Sequence, residues 1–116
     1  MSLNRVTLIG NLGRDPQIYY TDKDQPVCRL VLATSEPART LPSGAQVPQQ
    51  TDWHDILVWG ENAKLVASRM RKGGKMYVEG KLKKRTYTDR DGKTREAVEI
   101  WGEKVELLSQ PPTGQQ

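Results

Sequence analysis

Phenylalanine is absent from this sequence, and cysteine and histidine occur once each, as Cys28 and His54. A single cysteine excludes an internal disulfide. One cysteine and one histidine do not supply the spaced ligand sets of ordinary metal sites, so neither a metal nor a cofactor is expected. Cys28 lies in the apolar run 27–33 and reads as a buried thiol rather than a nucleophile. No apolar stretch approaches the roughly 20 residues of a membrane helix. No basic start followed by an apolar segment marks a secretory signal, so the expectation is a soluble intracellular chain without a membrane partner. Hydrophobic residues are also scarce, at 35% of 116, and mean hydropathy is −0.72. A small core under long polar loops, in one compact domain, fits these values.

Catalytic constellations are missing too. Asp15, Asp22 and Asp24 all fall in turn-like segments. Asp89-Arg90-Asp91-Gly92 lacks the ligand spacing and terminal glutamate of a calcium loop. Gly10-Asn11-Leu12-Gly13 is followed by no Lys-Ser/Thr pair and sits in a strand pattern, so it is not a phosphate loop. No catalytic residue is nominated, and the chain is not expected to be an enzyme.

What is present is unevenly placed charge. The net charge is +4, yet residues 69–95 hold 11 Lys/Arg against 3 acidic residues, and the remainder is net acidic. A concentrated basic block on a modestly basic protein points to a local polyanion site, with a solvated lysine-rich surface as the plain alternative.

The hydrophobic pattern is that of strands. Residues 4–12 alternate, with Val6, Leu8, Gly10 and Leu12 on one face, and Gly13 to Pro16 break the pattern. Ile18, Tyr19 and Tyr20 extend the strand after a bend, one tyrosine packed and one exposed. A second, more apolar strand covers 26–34. Residues 36–50, with Pro37, Pro42, Pro48 and Gly44, read as a long exposed loop. A third strand covers 51–59, followed by a short helix that Asn62 is placed to cap. Its apolar stripe is Ala63, Val66, Ala67 and Met70, and Gly73-Gly74 ends it. A fourth strand over 75–86 and a fifth over 94–107 flank a hairpin turn in which Gly92 supplies a positive φ. Three strands, one short helix between strands 3 and 4, and two more strands are the order of an all-β, five-stranded OB-fold Greek-key barrel. Gly10 and Gly80 on inward faces suit its sharp curvature. The domain is placed at 1–108, with a short disordered tail at 109–116.

Unpaired nucleic acid offers phosphate charge and base faces, so a binder needs a path of cations and flat side chains for stacking. Trp53 and Trp59 lie six apart on the strand face opposite Ile56 and Val58, about 20 Å from each other at ordinary strand rise. Either they are exposed for stacking or they pack under the long loop. Tyr87 directly follows the basic run Lys83-Lys84-Arg85, an interleaving of cation and aromatic suited to nucleic acid. Tyr77 is assigned to cross-strand packing, and Trp101 to packing or a subunit contact.

Several strings together resemble the bacterial-type single-stranded DNA-binding proteins. They are Asn4-Arg5-Val6-Thr7-Leu8-Ile9-Gly10-Asn11-Leu12-Gly13-Arg14-Asp15-Pro16, Leu32-Ala33-Thr34-Ser35, Thr51-Asp52-Trp53-His54, and Arg71-Lys72-Gly73. Tyr77-Val78-Glu79-Gly80-Lys81-Leu82, Thr86-Tyr87-Thr88-Asp89 and Asp91-Gly92 continue the match in family order. The resemblance spans roughly 4–108. It implies an OB-fold homotetramer, cytoplasmic and nucleoid-associated, that binds single-stranded DNA with little sequence preference in replication, recombination and repair. It implies stacking by Trp53, Trp59 and Tyr87, and phosphate contacts by Arg5, Lys72 and Arg85, to which the basic run adds Lys83 and Lys84. His54, which shares its strand face with Ile56 and Val58, matches a histidine near the subunit contact.

Three departures accompany the likeness. Ala38 stands where the family often has another stacking tryptophan, and Asp55 and Glu61 stand where relatives can be basic. The family's acidic tail with its apolar tip has no counterpart in 109–116, so recruitment of replication and repair partners through such a tail is not expected. The rival readings are a primosome-type dimer of related fold that docks proteins, a nuclease, and a binder of structured RNA.

Overall fold

The computed structural model describes residues 1–110; most of the tail expected over 109–116 therefore lies outside the described residues. Among the described residues, eight strands and one helix run in the order β1 (Val6–Leu12), β2 (Gln17–Tyr20), β3 (Pro26–Glu36), β4 (Arg39–Thr40), β5 (Gln46–Val47), β6 (Gln50–Trp59), α1 (Gly60–Arg69), β7 (Lys75–Thr88) and β8 (Thr94–Ser109). Five of the strands close a barrel in the order β1-β7-β8-β6-β3, with β3 returning to β1 at Asn11↔Ala33 and Leu12↔Leu32. All neighbours are antiparallel except β6 and β8, which pair in parallel at Ile56↔Ile100 and Leu57↔Trp101. This is the OB topology expected from the order of elements.

Three short strands add to the expected five. Beyond the bend at 13–16, β2 pairs with β3 as an edge strand, and its tyrosines are both exposed, at 45% for Tyr19 and 58% for Tyr20. The expectation that one of them packs is corrected: β2 pairs with β3 on one side only, and both rings stay exposed. Residues 36–50 are not structureless. They hold the β4–β5 hairpin, closed by Leu41 N–H to the Ala45 carbonyl and turned through Gly44.

Alternation fills the interior with Cys28, Leu30, Leu32, Ile56, Val58, Met76, Val78 and Ile100, and α1 closes one end with Ala63, Val66 and the fully buried Met70. Burial raises the Cys28 thiol to about 11, which keeps it protonated and unreactive at neutral pH. The helix is not capped by Asn62. Trp59 is the N-cap residue and offers no side-chain bond, while Asn62, inside the first turn, donates to the Glu103 carbonyl and ties α1 to β8.

Two inward glycines let the barrel close. At Gly10, β1 passes from pairing with β7 to pairing with β3, and a methyl group there would overlap the Ala33 carbonyl. At Gly80, opposite Gly102 and beside a register shift in the β7–β8 ladder, a methyl group would overlap the Trp101 carbonyl. The extra residue of the bulge is Glu103 on β8, and the paired Gly80 and Gly102 beside it let the two strands close on each other at the tight barrel corner. Past that corner β7 has left β1 and pairs with β8 alone, so the β7–β8 hairpin projects beyond the barrel rim. Leu82 is consequently 40% and Val98 50% exposed although both continue the inward rows. Asn4 holds the root of the projection, donating to the Leu82 carbonyl at 2.8 Å and accepting its N–H at 2.9 Å.

Replacing Gly80 by alanine forces a methyl group against the Trp101 carbonyl, a backbone group with little room to give. The expected loss of unfolding free energy is about 2–3 kcal/mol, seen as a lower urea midpoint at unchanged slope. A midpoint equal to the parent's would show that the bulge widens freely.

Candidate nucleic-acid interface

Strand alternation sorts several of the nominated side chains onto one outward surface. β6 contributes Trp53, Asp55, Leu57 and Trp59; β7 contributes Lys81, Lys83, Arg85 and Tyr87; β8 contributes Arg95, Glu99 and Trp101. The β6 and β8 rows meet only where the parallel pair exists, at Leu57 and Trp101. Before that point the two strands diverge. A cleft lies between them, lined by Trp53, His54, Asp55, Leu82, Val98 and Glu99. The surface is therefore V-shaped, with Trp59 and Trp101 at the vertex, Trp53 on one arm and the β7–β8 hairpin with Tyr87 on the other.

At the vertex the rings of Trp59 and Trp101 meet edge to face, with centroids 4.9 Å apart and planes at 69°. The Lys83 ammonium sits 4.5 Å from the centroid of Trp101. The Trp101 indole N–H donates to Glu99 Oε1 at 3.1 Å, and Arg85 Nε lies 3.8 Å from the same oxygen. Glu99 is the one buried charged residue among the described residues, 6% exposed, and these two partners meet the need of a buried carboxylate for compensation. Further out, the Arg85 guanidinium lies 5.6 Å from the centroid of the Tyr87 ring, which is 43% exposed. The hairpin end is ordered by Asp89. Its carboxylate accepts the Arg95 Nε–H at 2.7 Å and the amides of Asp91 and Lys93, which hold its pKa below the usual aspartate value, Arg95 foremost.

Trp53 stands apart, 62% exposed, with its ring directly over the backbone of Gly13, where any Cβ would collide with it. The seat is fixed from both sides: Gly13 N–H donates to the Val31 carbonyl, and Leu12 bonds to the 71–74 turn. Lys72 belongs to that turn and donates its backbone N–H to Asp15 at 2.7 Å, so it lies beyond the Trp53 arm rather than with the hairpin cations.

The nominated residues are thus not one continuous patch. Lys83, Arg85 and Tyr87 share the outward row of β7, and Trp59 on β6 joins it through Trp101. Arg5 extends the β7 row at its far end, but its guanidinium is engaged by Glu79, which also accepts the Tyr77 hydroxyl at 3.0 Å. Lys84 alternates to the opposite side of the hairpin, beside Val98. His54, half-buried, bonds through Nε2 to Thr34 Oγ1 at 2.8 Å and borders the cleft. Ala38 and Asp55 are exposed. Reading the sequence missed the seat at Gly13, the anchor at Glu99 and the place of Trp101 in the ring cluster. Only Trp101 left a signal, its odd place in the alternation beside the inward Ile100. Among the described residues no three His, Cys, Asp or Glu side chains gather as a metal site would require.

The family model of the single-strand binding protein family matches residues 3–108. The single-stranded DNA-binding protein of Bacteroides thetaiotaomicron is 41% identical over 109 residues, covering 94% of this chain and 68% of the relative. That of Neisseria meningitidis serogroup A is 37% identical over 108 residues, covering 93% of this chain and 61% of the relative. The chain thus spans about two thirds or less of the length of these relatives. Among solved structures, the Plasmodium falciparum SSB in complex with ssDNA superposes with a TM-score of 0.84 at 30% identity, covering 94% of this chain and 97% of the other. A deletion mutant of the single-stranded DNA binding protein from Thermus aquaticus superposes at 0.78 and 30% identity, covering 92% and 51%.

Gly13→Ala is expected to unseat the Trp53 ring and shift tryptophan emission to the red, with a stability change of under about 1 kcal/mol because the ring is exposed. The shift should vanish in a Trp53→Leu background. An unchanged emission in the parent background would mean that the ring does not depend on that seat.

Proposed function

The chain belongs to the single-strand binding protein family, and from that membership we propose that it binds and protects single-stranded DNA without sequence preference in replication, recombination and repair. The observation that carries the reading is the outward set of rings and cations at the vertex and along the hairpin: Trp59, Lys83, Arg85 and Tyr87, with Trp53 on the second arm. Flat rings beside cations match the two features that every unpaired strand presents, base faces and phosphates, whatever its sequence. The Plasmodium relative with ssDNA bound superposes over nearly the whole chain, which supports the same ligand here. Binding is passive, by residues 1–108, with no catalytic group assigned.

Trp53, Trp59 and Tyr87 are assigned to stacking, and Arg5, Lys72, Lys83, Lys84 and Arg85 to phosphates. Arg5 engages phosphate only by leaving Glu79, and Lys84 approaches from the other side of the hairpin. In this proposal the cleft beside His54 faces a second subunit, the assembly is a homotetramer, and the protein works in the cytoplasm, associated with the nucleoid. Partner recruitment through an acidic tail is not assigned to residues 109–116.

Titration with oligo-dT under tryptophan fluorescence tests the reading. Strong quenching is expected with oligo-dT and not with duplex DNA. All five cations on phosphate give a slope of log K against log salt of about −3.5, and four, without Lys84, about −2.8. Trp53→Ala or Tyr87→Ala should each weaken binding by about 1–3 kcal/mol. Equal response to duplex, or affinity indifferent to salt, defeats the proposal and favours protein docking.

A further inference from the structure

We propose that Trp101 is itself a base-contacting ring, and that Lys83 shields its open face until a DNA phosphate draws the ammonium away. The inference rests on the single-strand-binding reading and adds a contact to it.

Trp101 faces outward, since its neighbours Ile100 and Gly102 are both buried on the inward side. Its plane is fixed twice, by the edge contact with Trp59 and by the hydrogen bond from its indole N–H to Glu99. The ring is partly buried, so one part of its surface remains open to solvent. Here the contact recorded over its face is the end of one lysine, 4.5 Å from the centroid. Among the described residues Lys83 has no carboxylate within ion-pair distance, whereas its row neighbours Lys81 and Arg85 pair with Glu103 and Glu99. Lys83 is thus the cation of this row that is held by an aromatic face rather than by a fixed charge.

That arrangement suits exchange. A cation–π contact at a partly exposed site is weak, and a charge-assisted bond to phosphate is stronger. When the strand arrives, the ammonium exchanges ring for phosphate, and a base occupies the face it leaves. Lys83 is then satisfied in both states, and Trp101 does not stand bare in the free protein. Because Trp59 and Trp101 lie at 69° to each other, bases stacked on the two rings are held at a similar angle. The strand turns sharply at the vertex of the V, from the Trp53 arm towards the hairpin.

The test is photo-crosslinking of the whole protein to oligo-dT carrying 5-iodouracil, with adducts mapped by mass spectrometry. Titrations of Trp101→Leu and Lys83→Met run beside it. Adducts are expected on Trp101 as well as on Trp59. Trp101→Leu should weaken oligo-dT binding about 5- to 100-fold, and Lys83→Met should flatten the salt slope by about 0.7. Adducts on Trp53, Trp59 or Tyr87 with none on Trp101 would overturn the assignment and leave single-strand binding standing. Adduct mapping uses the parent protein, so it decides the matter even where Trp101→Leu folds poorly. No binding of oligo-dT at all would remove the underlying reading, and the assignment with it.

Discussion

The shape of the candidate surface depends first on how little β6 and β8 share. Two residue pairs, Ile56↔Ile100 and Leu57↔Trp101, make the parallel contact that completes the barrel. The inward pair is wholly apolar and buried, so the contact is held by core packing as much as by hydrogen bonds. The outward pair places Leu57 beside Trp101, next to Trp59. Because the strands diverge immediately before this point, the same contact that closes the core opens the cleft and sets the two arms apart. A longer parallel pairing would seal the cleft and turn the V into a flat sheet. The corner at Gly80 is the complementary requirement: it frees β7 from β1, and only a hairpin so freed projects far enough to carry Arg85 and Tyr87 off the barrel.

Across this surface, positive charge is parked. Arg5 rests on Glu79, Lys81 on Glu103, Arg85 between Glu99 and Tyr87, and Lys83 on Trp101. Arg85 helps compensate the buried Glu99, but exposed pairs such as Lys81–Glu103 contribute little to stability, about 0–1 kcal/mol each, so they are poorly explained as devices for holding the fold. They do lower the local repulsion of a block in which 11 cations face 3 acids. They also set the cost of binding, since every phosphate contact made by a paired cation first breaks a pair. Lys83 breaks no ion pair. It is therefore the cation of the row that responds to an approaching strand at least cost, and it sits over the ring whose exposure would follow.

Much of this was legible in the sequence. Period-two alternation located the barrel strands, and the apolar stripe Ala63, Val66, Ala67 and Met70 located the helix, because both patterns report burial directly. Gly10 and Gly80 were legible as close approaches for the same reason: glycine on an inward row has little other use. Ile18, Tyr19 and Tyr20 were legible as strand, though as an extension of β1 rather than as the separate edge strand β2; the short strands β4 and β5 were not legible. Their residues are largely exposed, so nothing in their composition separates a paired segment from a loop. Asn62 misled because a good capping residue near a helix start is local chemistry, whereas its actual bond runs to Glu103, 41 residues away. The candidate residues could be nominated one by one from the sequence, but their arrangement could not be read there. Lys84 adjoins Lys83 and Arg85 in sequence and opposes them in space, and no spacing rule brings Gly13 beneath Trp53.

Trp101 shows what lies between those two cases. By alternation alone it is an outward ring on a strand, and an outward tryptophan most often packs against a neighbour, as this one does against Trp59. What distinguishes packing from function is the state of its free face, a property of three strands at once: β6 supplies the edge partner, β7 the cation and β8 the carboxylate that fixes the plane. A ring held at two points by rigid neighbours is pre-organised, and little conformational freedom remains to be lost when a base settles on it. Over that partly buried ring lies the ammonium of a flexible lysine, 4.5 Å from its centroid. The rigid support beneath and the easily displaced cation above are what a stacking site needs before its ligand arrives, and a packed core residue would show neither of them together.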